Sequence, residues 1–193
     1  APTAGELPGK GAIHLYDAGK AMSEMITASY FHTYGMKGAM ARNTNLYGEN
    51  DLNFYRLIPA MMKGIFTQKK IKLWGNGRVK RDFMHVSDAV RGMIALAENV
   101  NRVEVNGNAF TFATGHVSSV RDVVGHMQQA LDFPIEVEWD ETSSVQDRDQ
   151  EKLDFSATEK ILKWSPRMPL REGLRQTVKW YGEYFAKQME VNK

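Results

Sequence analysis

The chain has 193 residues, enough for one large domain or two small ones with a sizeable hydrophobic core. Its 25 basic and 23 acidic residues leave a formal charge of +2, so we expect no nucleic-acid partner. The absence of cysteine excludes disulfides, zinc–thiolate sites and cysteine nucleophiles, and is typical of a reducing compartment, so a cytoplasmic protein is expected. No apolar run approaches the roughly 18 residues that a membrane span needs, which predicts no membrane association.

The first third of the chain predicts a helix, a short buried strand and a second helix. The Pro/Gly-rich opening and the polar segment 43–51 are expected to be loops. Gly35 ends the first helix, and Pro59 marks a break within the second. The predicted elements are the helix Leu15–Tyr34, the strand Met36–Arg42 and the helix Asn53–Phe66. The first helix is expected to carry an apolar side at Met22, Met25, Ile26 and Phe31.

The next segment, KKIKLWGNGRVKRDFMHV (69–86), alternates apolar and polar residues like a β-hairpin, with Asn76-Gly77 as its turn. Ser87 is the expected N-cap of the helix that follows to Asn99, and Asp88 suits its first turn.

The rest of the chain continues to alternate between strands and helices. Two strands (108–115 and 135–139) and three helices (118–131, 156–163 and 170–187) are predicted, the first of these helices capped by a serine. This alternation indicates an α/β protein with at least part of a parallel sheet. No predicted strand is followed by Gly-x-Gly-x-x-Gly and no Walker loop is present, so no phosphate-binding turn of either kind is expected.

Tyr16 and Lys20 lie four residues apart in the first predicted helix. That spacing is about one turn, so both side chains leave the same face. An ammonium held there favours the phenolate form of a tyrosine, as acid–base catalysis by a tyrosine requires. Such pairs also arise by chance, and the alternative is a packed ring beside a lysine whose ammonium reaches solvent. The pair alone leaves both interpretations open.

Further motifs follow the Tyr-x-x-x-Lys pair in a fixed order. They are ARNTNLYG (41–48), DLNFYRLIP (51–59), LWGNGRVKRDFMHVSD (73–88) and LKWSPRMPLREGL (162–174). In type, order and spacing this series resembles the C-terminal portion of extended short-chain dehydrogenases/reductases, the nucleotide-sugar epimerases and dehydratases. The resemblance covers roughly Leu15–Tyr184. Within the family, the segment 48–59 most resembles the CDP-glucose 4,6-dehydratases.

The resemblance implies a role for five residues. Tyr16 would be the catalytic base, and Lys20 would assist it and bind the nicotinamide ribose, so both would contact NAD or NADP. Asn45 and Arg81 would hold the diphosphate of the nucleotide-sugar. Arg148 would be a second such arginine, but the family's Arg-Pro-Gly-Asp is DRDQ here, so a solvated surface charge is an equal alternative.

The resemblance also implies a fold and a division into domains. We expect the C-terminal part of an extended Rossmann-type fold with a small α/β substrate lobe. Residues 1–46 would be a remnant of the dinucleotide-binding domain and 47–193 mainly the nucleotide-sugar lobe, with 84–116 returning to the Rossmann sheet. The family carries its glycine-rich loop ahead of the tyrosine, whereas 15 residues precede Tyr16 here. An incomplete chain that forms a homodimer or pairs with a missing N-terminal half is therefore expected.

Two functions remain open. The first is part of an NAD(P)-dependent epimerase or 4,6-dehydratase that acts by transient hydride transfer at the sugar of a CDP-, UDP- or dTDP-hexose. The second is a non-catalytic module that binds sugar-nucleotides or forms oligomers, which Gly19 favours because the family commonly has serine there. The five histidines lack metal-ligand spacing, so no metal site is expected.

Overall fold

The computed structural model describes residues 15–68, 70–131, 133–140 and 152–191. The helices are α1 (Leu15–Tyr34), α2 (Leu57–Lys63), α3 (Val86–Asn99), α4 (Val120–Ala130), α5 (Ser156–Leu162) and α6 (Leu170–Val191), and α2 continues into a π-helical segment, Gly64–Gln68. The strands are β1 (Met40–Asn43), β2 (Asn45–Tyr47), β3 (Lys70–Trp74), β4 (Lys80–His85), β5 (Ala109–Phe112), β6 (Val117–Ser119) and β7 (Glu136–Asp140). Helices alternating with parallel strand pairs confirm the predicted α/β class.

The strands of the described residues form three small sheets. β1 pairs with β5 and β3 pairs with β7, both in parallel. In the third sheet β4 lies in the middle, parallel to β2 and antiparallel to β6. Thr44 connects the first sheet to the third, because its N–H donates to Phe112 O (3.1 Å) and its hydroxyl donates to Asp82 O (2.8 Å).

Two hydrophobic clusters support these sheets. The larger one packs α2, α4 and α6 around β3, with Tyr181, Met61 and Met127 fully buried. The smaller one lies beneath α3 and α5, where Phe112 meets the Trp164 ring edge-on at a centroid distance of 4.9 Å. The first cluster includes side chains of β3 and β7, and the second includes side chains of β1 and β5.

The predicted hairpin over residues 69–86 is wrong. β3 and β4 are both strands, but β3 pairs with β7 and β4 pairs with β2 and β6. Alternation with a period of two specifies a strand and its two faces but does not name its partner. The intervening turn packs instead against β7, since a Cβ on Gly77 would lie 2.2 Å from the Trp139 ring.

Two segment boundaries also differ from the predictions. The expected loop 43–51 contains β2, which the partner strand β4 stabilises. The second helix begins at Leu57 rather than Asn53, because the side chains of Asp51 and Asn53 accept backbone N–H groups two residues on and compete with helical bonding. Pro59 falls in the first turn of α2, where its missing N–H would have had no intrahelical partner, so it causes no break.

The N-cap of α3 differs from the prediction, whereas the N-cap of α4 is a serine, as predicted. α3 is capped by His85, whose ring accepts the Ser87 N–H, and not by Ser87 as predicted. α4 begins after a serine, as predicted, but residues 117–119 form β6 first. Ser119 and Asp122 form a reciprocal capping box, and the hydrogen bonds from Ser119 lower the pKa of the Asp122 carboxyl.

The bounds of α1 are those predicted, and its side chains are mostly exposed. Met22, Met25 and Ile26 are each more than half exposed. Phe31, expected on the same apolar side, instead turns inward against Gly38, where an added Cβ would lie 2.4 Å from the ring. The helix therefore presents an apolar face made of the first three of these residues.

We predict that Gly19→Ala stabilises the chain by up to ~1 kcal/mol, because a Cβ at this position in α1 meets open space and alanine favours the helix. Gly92→Ala, the matched change in α3, should instead destabilise it by roughly 1–2 kcal/mol, since its Cβ would lie 2.5 Å from the Phe112 ring. Urea unfolding followed by circular dichroism measures both. Equal effects of the two changes would contradict this description of the packing.

Candidate active site

Tyr16 and Lys20 lie on one face at the start of α1. The Lys20 ammonium is 5.5 Å from the centroid of the Tyr16 ring, and the ring is 67% exposed. Their arrangement follows from the four-residue spacing on a continuous helix. A phenol and an ammonium are therefore presented together to whatever binds at this end of the helix.

The ion pair between Glu24 and Arg42 joins α1 to β1. Arg42 Nε donates to both Glu24 carboxylate oxygens at 3.1 Å, and Nη2 also contacts Oε1. Both side chains are mostly buried, so the pair is less screened than a surface ion pair. Sequence reasoning missed it, although Glu24 continues the four-residue spacing of Tyr16 and Lys20 and Arg42 lies in the ARNTNLYG motif.

Asn45 and Arg81 lie on neighbouring strands of the third sheet. The register pairs Asn45 with Phe83, and Arg81 is two residues before Phe83 on β4. Side chains two residues apart on a strand share a face, so Asn45 and Arg81 are diagonal neighbours on the same face. Asn45 is exposed, and its Nδ2 donates to Asp82 O at 3.2 Å. Arg81 is half-buried, lies opposite Ser118 of β6, and donates from Nη1 to Lys80 O at 2.8 Å.

The carboxylate of Asp82 anchors β4 to the turn between β5 and β6. It is fully buried and accepts hydrogen bonds from Thr114 N (3.0 Å), Thr114 Oγ1 (2.8 Å) and Gly115 N (3.0 Å). Burial raises the pKa of Asp82, while these hydrogen bonds and the nearby His116 act in the opposite direction. Because successive side chains on a strand alternate, Arg81 lies on the opposite face of β4 from Asp82. Sequence reasoning quoted this aspartate in its motif but gave it no role.

The structure thus groups the predicted residues into two pairs, Tyr16–Lys20 on a helix and Asn45–Arg81 on a sheet face. Arg148 lies outside the described residues. Within the described part of the chain, no group of three or more His, Asp or Glu side chains is placed to hold a metal ion. No helix among the described residues is long and apolar enough to cross a membrane.

The chain is similar to proteins whose names refer to nucleotide-sugars. It is 29% identical over 178 residues to a probable GDP-L-fucose synthase 1 from Oryza sativa subsp. japonica, covering 87% of this chain and 52% of that protein. The chain thus spans about half the length of the curated relatives it matches.

Solved structures share the fold. An epimerase from Methanothermobacter thermautotrophicus superimposes with a TM-score of 0.80 at 22% identity, over 94% of this chain and 54% of that one. UDP-glucuronic acid 4-epimerase from Bacillus cereus, in complex with UDP-glucuronic acid and NAD, gives 0.77 at 19% identity, over 91% and 58%. These likenesses confirm the expected Rossmann-type architecture.

A family model settles the relationship that the motifs indicated. It is the model of the NAD dependent epimerase/dehydratase family, and it matches residues 3–110, more than half of the chain. The match includes Tyr16, Lys20, Asn45 and Arg81. The chain belongs to the NAD-dependent epimerase/dehydratase family.

Proposed function

We propose that this chain supplies the tyrosine–lysine pair and the nucleotide-sugar lobe of an NAD(P)-dependent epimerase or 4,6-dehydratase. The observation that carries the proposal is the shared face of Asn45 and Arg81 on β2 and β4. A planar guanidinium can bind two oxygens of a diphosphate at once, and a neighbouring amide can donate to a third. The nucleotide-sugars in the names of the similar proteins, GDP-L-fucose and UDP-glucuronic acid, support the same ligand class.

The other pair suits the sugar end of the substrate. The exposed side chain of Tyr16, in its phenolate form, can take a proton from a sugar hydroxyl, and the Lys20 ammonium beside it can donate to a ribose hydroxyl. A nicotinamide cofactor, when bound, would accept a hydride from the sugar carbon and return it. These two residues fit the nicotinamide ribose of NAD or NADP. The sequence contains no Gly-x-Gly-x-x-Gly turn for the pyrophosphate, so the proposal assigns that turn to a segment outside these residues.

The proposal includes a division of the chain. Residues 1–46 belong to the dinucleotide-binding domain and 47–193 mainly to the nucleotide-sugar lobe, with 84–116 returning to the Rossmann sheet. The parallel pairing of β1 with β5 supports this division, because β5 lies within 84–116 and extends the sheet that β1 begins. The choice of CDP-, UDP- or dTDP-linked sugar stays a prediction, as does the resemblance to CDP-glucose dehydratases.

A non-catalytic module that binds sugar-nucleotides is the second candidate. The exposure of the Tyr16 ring favours it, because excluding water from a catalytic site strengthens the electrostatic interactions inside it. The two candidates share the Asn45–Arg81 face and differ in whether Tyr16 is needed. Binding of UDP-glucose without any conversion of its sugar when NAD or NADP is supplied would favour the module.

We predict that Arg81→Lys weakens binding of UDP-, dTDP- and CDP-glucose about tenfold, since a point charge cannot replace a bidentate fork. Isothermal titration calorimetry measures the three affinities. Arg78→Lys is the matched control, because Arg78 is exposed on the turn between β3 and β4 and should leave them unchanged. Equal affinities for wild type and Arg81→Lys would assign Arg81 to structure alone.

The chain alone should not bind NAD+ or NADP+ tightly. A dinucleotide's pyrophosphate is normally received by a glycine-rich turn at a helix N-terminus, which the sequence lacks. Calorimetric titration with each cofactor tests this. Stoichiometric binding in the micromolar range would show that the chain holds the dinucleotide by itself and would contradict the proposal.

The isolated chain should self-associate through the apolar face of α1. Met22, Met25 and Ile26 are each more than half exposed, and burying such side chains stabilises by roughly 1.5–3 kcal/mol each. A symmetric dimer would bury this apolar face on both copies. Pairing with a dinucleotide-binding segment would bury the face without a dimer.

Light scattering after size exclusion measures this association. The double change Met22→Gln and Ile26→Gln should shift the chain to monomer, whereas Met189→Gln, an equally exposed methionine on α6, should not. A wild-type species of 21.9 kDa that persists at high concentration would rule the association out.

A further inference from the structure

Lys20 lies between two groups that can each attract its ammonium. Tyr16 is one turn before it on α1 and Glu24 is one turn after it, so the three side chains share one face of the helix. The ammonium lies over the Tyr16 ring, 5.5 Å from the ring centroid, within the range of a cation–π contact. A lysine four residues before a glutamate can equally form an ion pair with it along the helix. The structure therefore shows the ammonium with one of two competing partners.

Arg42 accounts for this choice, because it occupies the Glu24 carboxylate. Arg42 Nε donates to both carboxylate oxygens at 3.1 Å, and Nη2 contacts Oε1 as well. The guanidinium comes from β1, so it approaches Glu24 from the sheet and not along the helix. With both oxygens hydrogen-bonded and the negative charge neutralised, Glu24 attracts Lys20 much less than a free carboxylate would. The side chains of Arg42 and Glu24 are 30% and 23% exposed, so salt screens this pair less than an ion pair in open solvent.

Removal of the Arg42 guanidinium would reverse the preference of Lys20. Glu24 would then be a partly buried carboxylate without its partner, and such a charge strongly attracts a cation within reach. Lys20 is one turn away on the same face. Its present contact is with a ring that is 67% exposed, where a cation–π contact is weak. The ammonium would therefore leave the Tyr16 ring for Glu24.

We propose that Arg42 is a positioning residue, which keeps the Lys20 ammonium beside Tyr16 by occupying the carboxylate of Glu24. The inference rests on the proposed function for the task of that ammonium, which is donation to the ribose of a nicotinamide cofactor. Arg42 acts through Glu24, so its loss changes where the ammonium lies and removes no group that would contact the cofactor. The Glu24–Arg42 pair thus has a second role besides joining α1 to β1.

NMR of the ligand-free chain at neutral pH tests the placement of Lys20 directly. Protons that lie over an aromatic ring are shifted upfield by its ring current, so the Lys20 Hε signals should be shifted upfield in the wild type and not in Tyr16→Leu. Arg42→Met should lose most of this upfield shift, because the ammonium moves to Glu24. Arg175→Met is the matched control, since it breaks a similar arginine–glutamate pair on α6, and it should retain the shift.

The double change Glu24→Gln with Arg42→Met separates positioning from a purely structural role. Without the carboxylate, Lys20 has no competing partner at this spacing, so the upfield shift should return. A pair that only joined α1 to β1 would give the same loss in Arg42→Met and in the double variant, and that result would overturn the proposal. So would the absence of an upfield shift in the wild type, or an unchanged shift in Arg42→Met. Arg42→Gln removes the charge while its amide can still donate to Glu24, so it decides the question should Arg42→Met fail to fold.

A titration with a cofactor fragment separates this inference from the proposed function. Reduced nicotinamide riboside carries the ribose without the pyrophosphate, and at millimolar concentration it should shift the Lys20 signals of the wild type. Its affinity for Arg42→Met should be severalfold weaker, and the double variant should recover it. Absence of any shift in the wild type would count against the proposed cofactor role of Lys20, while the ring-current comparison still decides the role of Arg42. Equal affinities for wild type and Arg42→Met would overturn the positioning role.

Discussion

The buried carboxylate of Asp82 is the contact on which most of the candidate site depends. This carboxylate is shielded from water in the fold and accepts three hydrogen bonds from the turn between β5 and β6. Losing any one of these hydrogen bonds would leave a buried acceptor partly unsatisfied. Its own backbone carbonyl accepts from Thr44 and Asn45 on the other side. A single residue thereby fixes β4 between β2 and β6.

The consequences for function follow from strand geometry. Because side chains alternate along β4, Arg81 lies on the opposite face from Asp82, and the parallel register places Asn45 diagonally beside it. Four residues further along β4, His85 ends the strand and caps α3. The face that would bind a diphosphate and the loop beside it are thus positioned by one strand. The helix that carries Tyr16 and Lys20 is connected differently, through the Glu24–Arg42 ion pair to β1.

Features with a local cause were predictable from the sequence. The bounds of α1 follow from its composition and from Gly35, and a serine cap before α4 follows from the chemistry of helix N-termini. The strands β3 and β4 were also visible as alternating segments. The motif order indicated the family, which the family model confirms. These signals need only neighbouring residues or a known series of motifs.

Features that depend on distant residues were missed. Nothing local to Lys70–Trp74 indicates that β7, some sixty residues on, is its partner, so the alternation around Gly77 predicts a hairpin. His85 caps α3 because its backbone is extended at the end of β4, a position that its residue type does not reveal. The roles of Asp82 and Glu24 likewise depend on Thr114 and Arg42, which the fold brings to them.

The central claim is that Asn45 and Arg81 form one binding face for the diphosphate of a nucleotide-sugar. An NMR titration of the chain with UDP-glucose tests it most directly, with the side-chain signals of both residues resolved. We predict that the signals of the Asn45 amide and the Arg81 guanidinium shift together along one saturable curve while the Arg78 signal does not shift. Saturable binding that shifts neither signal, or shifts Arg78 as much as Arg81, would contradict it.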